Sequence, residues 1–178
     1  MPDSGFSNDP IDISSIPRLR DEDFVAVDPN YLKVRLIGHV VQTVFLVLPT
    51  IAVSALLQRY SSNPVLWSVL AMLAFLLLRT FLSALFTVVS VKNLGYLLRE
   101  HDLSHRRGAI VKSVDTVPFI RVQHVRVAQG AIDRAFGLAR LEVNSAGPNL
   151  YLAGLKLDDA ERLRSIVVER AGQMHELA

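Results

Sequence analysis

The sequence predicts an α+β protein in which a hairpin of two transmembrane helices precedes one small domain of antiparallel strands with a C-terminal amphipathic helix. Hydrophobic residues make up 51% of the 178 residues, and from residue 36 to residue 91 the only charged residues are Arg59 and Arg79. From Gly95 onward, the continuous apolar stretch gives way to short alternating runs, which are typical of strands with one buried face. Near the C-terminus, apolar residues recur at helical spacing.

The first 33 residues are acidic and contain many prolines, and we predict that they form a disordered tail. Residues 1–35 carry seven acidic and four basic residues, and four of the eight prolines lie among them. Such a composition offers too little apolar surface for a packed core. The polar, acidic start also differs from a secretory signal peptide, which begins with basic residues followed by an apolar run.

The first transmembrane helix is predicted at about residues 36–57, a run of 22 residues without charge. A helix of this length spans about 33 Å, enough for the roughly 30 Å hydrocarbon core. Pro49 lacks an amide proton, so we expect a kink there. His39 and Gln42 lie near one end, within reach of interfacial water. The polar segment 58–64 is short, so it should bring the second helix back beside the first.

The second transmembrane helix is predicted at about residues 64–85 and includes Arg79. An arginine at the centre of a span costs about 2.5–3.5 kcal/mol, and the leucines and phenylalanines of this segment offset that cost. Two interpretations of Arg79 stay open. Its side chain snorkels toward the nearer membrane face, or it pairs within the membrane with a partner subunit or a lipid phosphate. The apolar run continues to Val91, which leaves the end of this helix open.

Basic residues around the spans predict that both chain termini are cytoplasmic, because lysine and arginine are enriched in cytoplasmic flanks. The short external loop contains only Arg59, whereas the other flanks contain several bases. These bases are Lys33 and Arg35 before the first span, and Lys92, Arg99, Arg106 and Arg107 after the second. A buried helical hairpin in a soluble protein is the alternative, but it would need a much larger surrounding protein.

Residues 92–171 are predicted to form one cytoplasmic domain of six or seven short strands. Turn residues such as Gly108 and Pro118 divide this region. The clearest alternation places Leu141 and Val143 on one face of a strand and Arg140 on the other. The predicted strands are 95–99, 103–107, 110–117, 121–129, 139–145 and 150–155, with a helical turn at 130–137.

A C-terminal amphipathic helix is predicted to begin at Asp158, with Glu161 completing a capping box. Apolar residues at helical spacing form one stripe, which we expect to cover an open end or face of the sheet. The stripe consists of Leu157, Ala160, Leu163, Ile166 and Val167. Residues 172–178 are predicted to form a tail.

Antiparallel strands closed by one C-terminal helix are the outline of a pleckstrin-homology-like (PH-like) barrel or sandwich. Four segments, in order, also resemble the bacterial PH domain of YdbS-like membrane proteins. They are GYLLREHDL at 95–103, RRGAI at 106–110, VPFIRVQHV at 117–125 and FGLARLEV at 136–143. The resemblance covers about residues 92–170, and the two preceding spans fit the layout of that family.

The resemblance implies a PH-like domain at the inner face of the bacterial plasma membrane, without catalytic residues. It also implies a complex, because such proteins often occur beside a larger relative with repeated PH domains. The first hypothesis is therefore a non-enzymatic interaction module that presents a sheet edge or the strand loops to another membrane PH-domain protein or to a second copy of itself. The alternative is a sensor of anionic lipid at the inner leaflet. A third hypothesis is an enzyme or transporter subunit, and transport would need oligomerisation because two spans cannot form a pore alone.

The residues themselves indicate no catalytic, cofactor or metal site. The sequence has no cysteine, which excludes disulfides, zinc–thiolate sites and thiol nucleophiles. His101 and His105 are four residues apart, but a strand–turn–strand segment does not bring them together as a helix would. His124 is interpreted as a core or interface histidine. No phosphate-binding or nucleophile motif indicates a small-molecule substrate, and a net charge of +2 argues against nucleic acid.

Basic residues are the candidate contacts with lipid or a partner. The segment from Lys92 to Arg140 contains nine basic and four acidic residues, and a base near an anionic leaflet gains roughly 1 kcal/mol. Three interpretations stay open, namely recognition of a specific headgroup, nonspecific contact with the leaflet, and a topology signal alone. The candidates are Arg79, Lys92, Arg99, Arg106, Arg107 and Lys112.

Overall fold

The computed structural model describes residues 23–57 and 63–176. Within these ranges, two long helices are followed by two antiparallel sheets and a C-terminal helix. Most of the tail that we predict to be disordered, residues 1–22, lies outside the described residues. The elements are β1 (Val25–Ala26), α1 (Asn30–Leu57), α2 (Asn63–Lys92), β2 (Gly95–Leu98), β3 (Asp102–Arg107), β4 (Ser113–Pro118), β5 (Val122–Ala128), α3 (Ala131–Ala135), β6 (Leu138–Ser145), β7 (Leu150–Lys156) and α4 (Leu157–Glu176).

The two long helices are apolar and long enough to cross a membrane, and both extend further than predicted. α1 begins six residues before residue 36, and α2 ends seven residues after Leu85. The predicted start of α1 was wrong because packing against the domain extends this helix past its uncharged segment. The end of α2, which the sequence leaves open, lies at Lys92, directly after the apolar run. Tyr31 and Val34 of α1 and Val91 of α2 are buried in a cluster with Leu138 of the domain.

Hydrogen bonds between polar side chains join α1 to α2. Thr43 Oγ1 lies 2.7 Å from Thr80 Oγ1, and His39 Nε2 lies 2.8 Å from Thr87 Oγ1. Such bonds between neighbouring spans satisfy polar groups that lipid cannot solvate. The hairpin is therefore a packed unit, as the short connecting segment predicts. Pro49 lies inside α1.

The strands form a sandwich of two sheets, with the order β1-β2-β3-β4 in one and β5-β6-β7 in the other. The prediction of an antiparallel PH-like sandwich with a C-terminal helix is confirmed. Within the described ranges the two sheets are not joined into a closed barrel. Fully buried side chains fill the space between the sheets and α4. The largest are Phe119, Leu103, Leu138, Leu141, Leu150 and Leu152.

Four local predictions were wrong. Residues 23–33 are ordered, because β1 pairs with β2 and α1 begins at Asn30. Ile110 lies in an exposed loop, since β4 begins only at Ser113. Asp158 lies in the first turn of α4 and not before it, so it faces the helix dipole instead of forming a capping box. α4 runs to Glu176, into the predicted tail.

The apolar stripe of α4 covers the sandwich, with one change from the prediction. Ala160, Leu163 and Val167 are buried, and Ala171 continues the stripe one turn further. Ile166 is 37% exposed and lies outside it. The buried positions are spaced three or four residues apart, so a single helix face lies on the sheets.

Candidate functional site

The first feature of the candidate site is a fixed junction between the membrane hairpin and the domain. The backbone amide of Asp28 donates to the carbonyl oxygen of Gly154 at 2.8 Å. Gly154 has φ +78°, and a Cβ there would lie 2.5 Å from Cγ of Tyr31. Tyr31 thus packs directly on the backbone of β7. Together with the buried cluster around Leu138, these contacts hold the domain on the start of α1.

The segment before α1 also belongs to the domain. Val25 and Ala26 of β1 pair with Tyr96 and Gly95 of β2. Phe24 is buried, and the guanidinium carbon of Arg106 lies 4.9 Å from the centre of its ring. A cation over an aromatic face is attracted by the ring quadrupole. Arg106 therefore has a structural role in addition to its proposed contact with lipid.

Four of the five candidate bases after the hairpin are grouped at the end of the first sheet that adjoins α2. Lys92 ends α2, and the register pairs Arg106 with Val114 and Gly95. Arg107 is the last paired residue of β3, and Lys112 immediately precedes β4. Arg99 follows β2 at the opposite end of the sheet. The structure therefore brings together Lys92, Arg106, Arg107 and Lys112, but not Arg99.

Three of the candidate arginines make contacts within the protein. Arg99 Nε lies 2.9 Å from Asp102 Oδ1, and Arg107 Nε lies 2.9 Å from Asp115 Oδ2. Arg106 Nε donates to the carbonyl oxygen of Asn93 at 3.2 Å. The two carboxylates partly neutralise Arg99 and Arg107, and the Asn93 carbonyl occupies one donor of Arg106. Charge counting along the sequence cannot detect these contacts.

Arg79 is exposed on α2 and faces a groove between the two spans. Arg35 of α1 lines the same groove, together with Ser83, Thr87 and Ser90 of α2. Residues 30–92 contain no acidic residue, so no carboxylate of the spans can neutralise Arg79. Thr87 is eight residues further along α2, which places Arg79 about 12 Å deeper than the His39–Thr87 bond. Under both interpretations of Arg79, its charge raises the free energy of inserting α2 into the membrane as a single helix.

Replacing Arg79 with leucine should make the insertion of α2 more favourable by about 3 kcal/mol, because a cation within the apolar span is exchanged for a lipid-soluble side chain. The fraction of α2 that a translocon inserts as a single segment measures this change. Lys92→Leu is the matched control, since Lys92 ends the helix and should have a much smaller effect. Equal effects of the two substitutions would contradict the deep position of Arg79.

Of the three histidines from β3 to β5 and the turn before β3, one is buried and two are exposed. His105 on β3 is buried, and this burial, followed by the nearby Arg107 charge, lowers its pKa to about 4 while Asp115 opposes the shift. His101 is exposed at the turn before β3. His124 is exposed on β5, so it is not a core residue. Among the described residues no group of three or more potential ligands could hold a metal ion.

The sequence suggests binding at a sheet edge without locating that edge, and it does not indicate the groove that the structure shows between β5 and α4. The groove has a volume of about 750 Å³. β5 is the outer strand of its sheet and pairs with β6 along one edge. Buried Val122 and Val125 form the base of the groove. The other lining residues are Ile120, Arg121, Gln123, His124 and Ala146 on one side and Arg164, Val168, Ala171 and His175 of α4 on the other.

Comparison with known proteins identifies the family. The family model of the bacterial PH domain matches residues 34–171, which include nearly all of both spans and strands β2 to β7. The UPF0699 transmembrane protein YdbS of Bacillus subtilis (strain 168) is 27% identical over 151 residues, which cover 84% of this chain and 93% of that relative. No solved structure matches the chain. Neither description denotes a known enzyme family. The chain is thus a transmembrane protein that belongs to the bacterial PH domain family.

Proposed function

We propose that this protein is a non-enzymatic, membrane-anchored interaction module whose PH-like domain binds an extended acidic segment of a membrane partner protein. The groove between β5 and α4 is the observation that carries this proposal. One edge of β5 is paired with β6, and the outer edge of a strand readily accepts an added strand through main-chain hydrogen bonds. α4 supplies a second wall, against which alternate side chains of such a strand would pack.

The chemistry of the groove favours an acidic partner with some apolar side chains. Arg121, Arg164 and two histidines line it, and no carboxylate is among its described lining residues. The exposed side chains of Ile120 and Val168 add apolar contact area. Complementary charge increases the rate of association and disfavours partners of the wrong sign. Another membrane PH-domain protein is the partner class that the proposal favours.

The fixed junction supports this role because it presents the groove in one orientation relative to the membrane. α3, at the far end of β5, packs near α1 through Ile132, whereas Val122 begins β5 at the opposite end of the strand. The groove therefore lies toward the end of β5 that is farther from α1. We further propose that the protein lies in the plasma membrane with both termini cytoplasmic, which the bases Lys33, Arg35 and Lys92 support.

A pull-down of the full-length protein from native membranes in mild detergent tests the proposal. We expect a membrane partner to co-purify in stoichiometric amounts. The double substitution Arg121→Glu with Arg164→Glu should reduce its recovery at least about tenfold, because two charges in the groove are reversed. A photo-crosslinking residue at Gln123 should label an acidic segment of the same partner.

Matched controls separate the effect of charge in the groove from the effect of the overall charge of the protein. Arg162→Glu with Arg170→Glu makes the same charge change on exposed positions of α4 outside the groove, and should leave recovery unchanged. A crosslinker at exposed Tyr151 of β7 should not label the partner. Recovery of a second copy of this chain alone would assign the groove to self-association. Recovery of no protein, or equal effects of both charge reversals, would reject the proposal.

A further inference from the structure

The loop between β3 and β4, residues 108–112, exposes two aliphatic side chains to an unusual degree. Ile110 and Val111 are each 80% exposed. Among the described residues outside α1 and α2, the next most exposed large hydrophobic side chain is that of Tyr151, at 53%. Single exposed apolar residues are ordinary on a protein surface. Two adjacent ones at a loop tip indicate a surface that is covered when the protein is in its functional environment.

This loop is attached to the point at which α2 ends. The side-chain amide of Asn93, the residue after α2, donates to the carbonyl oxygen of Gly108 at 2.9 Å. Arg106 donates to the carbonyl oxygen of Asn93 from the other direction. Ile110 follows Gly108 by two residues, so its Cα lies within about 8 Å of the Gly108 Cα. The loop tip is thus close to the membrane exit of α2.

The shape and charge of the loop fit a lipid surface. Gly108 has φ +119°, and a Cβ there would collide with the carbonyl oxygen of Val111. The loop is therefore tightly folded back, with its two aliphatic side chains facing outward. Arg107 and Lys112 lie on either side of them and are exposed. Arg107 keeps 59% of its side chain exposed while it pairs with Asp115. Apolar residues flanked by bases are the composition that inserts at the boundary between acyl chains and headgroups.

We propose that the β3–β4 loop is a third membrane attachment, in which Ile110 and Val111 insert into the leaflet at which α2 ends and the flanking bases contact anionic headgroups. This inference goes beyond the proposed partner groove and does not depend on it. The two spans already hold the domain near the bilayer. The loop would add a contact away from the hairpin axis, and so prevent the domain from tilting.

Site-specific fluorescence tests the insertion, because the chain has no cysteine of its own. Ile110→Cys and Val111→Cys are each labelled with an environment-sensitive maleimide dye, and the full-length protein is reconstituted into vesicles. The vesicles contain phosphatidylcholine with or without phosphatidylglycerol, together with lipids that carry a nitroxide on a shallow acyl carbon. Tyr151→Cys is the matched control, because it is also exposed but lies on β7.

We expect blue-shifted emission and nitroxide quenching at positions 110 and 111, with stronger quenching when phosphatidylglycerol is present, and neither effect at position 151. Emission at 110 and 111 equal to that at 151, without quenching in either kind of vesicle, would overturn the proposal. A blue shift without nitroxide quenching would also overturn it, because the dye would then be covered by protein. Both labelled sites are exposed, so the substitutions leave the core intact.

Discussion

Replacing Gly154 with alanine should lower the free energy of unfolding of the domain by about 2–4 kcal/mol and loosen its attachment to α1. Gly154 has a positive φ, which disfavours any residue with a Cβ, and the new methyl carbon would lie 2.8 Å from Cβ of Tyr31 and 2.5 Å from its Cγ. Because the Cβ of Tyr31 is itself too close, rotation of the tyrosine ring cannot relieve the contact. The start of α1 must move instead.

Two measurements check this result. Thermal unfolding in mild detergent reports the stability of the domain, and the distance between spin labels on α1 and β6 reports its attachment. Gly137→Ala is the control, since Gly137 also has a positive φ, of +65°, but the new methyl carbon there would meet no neighbouring atom within 4 Å. It should cost only about 1 kcal/mol. Equal losses in the two variants would show that the contact with Tyr31 contributes nothing.

Acidification should destabilise the domain through His105, by as much as about 3 kcal/mol between pH 6.5 and pH 4. Burial lowers the pKa of His105 to about 4 in the folded protein, so the unfolded chain binds a proton at a higher pH than the folded one. The contribution of His105 to stability is complete above the pKa that His105 has in the unfolded chain. It is lost as the pH falls toward the pKa that His105 has in the folded protein. Below pH 4 both states are protonated and the contribution is constant.

The variant His105→Gln should show a flatter dependence of the unfolding midpoint on pH across this window than the unchanged protein. Carboxylates also bind protons there, so the informative quantity is the difference between the two curves. His101→Gln is the control, because His101 is exposed, and it should keep the original slope. Parallel curves for the unchanged protein and the His105 variant would show that His105 carries no part of the pH dependence.

The sequence predicts best the elements that depend on local patterns. The uncharged run that contains Pro49 predicts α1, and the alternation around Leu141 predicts β6, because burial on one face imposes a fixed period. The sequence predicts poorly the features that depend on pairing between residues far apart in the chain. β1 consists of only Val25 and Ala26, too short for any period, and it exists because β2 lies beside it.

For the candidate site too, the sequence predicts local features better than contacts between residues far apart in the chain. Charge counting selects the bases that lie near the end of α2, but it also selects Arg99 at the opposite end of the sheet, and it cannot show that Arg107 pairs with Asp115. Ile110 and Val111 have strong strand preferences, so the sequence assigns them to a strand. The tight loop after Gly108 overrides that preference. The groove at β5 is formed by a helix more than thirty residues further along the chain, so no local pattern could indicate it.

The pairing of β1 with β2 makes the membrane hairpin an insertion within the first sheet. The chain enters the sheet at Val25, leaves it to form both spans, and returns at Gly95. The first sheet is therefore complete only when α1 and α2 lie side by side, so that the segments before and after them can pair. Association of the two helices brings the two ends of the insertion side by side, so the membrane reduces the entropy lost on closing this long loop. Packing of α1 against α2 and pairing of β1 with β2 therefore stabilise each other.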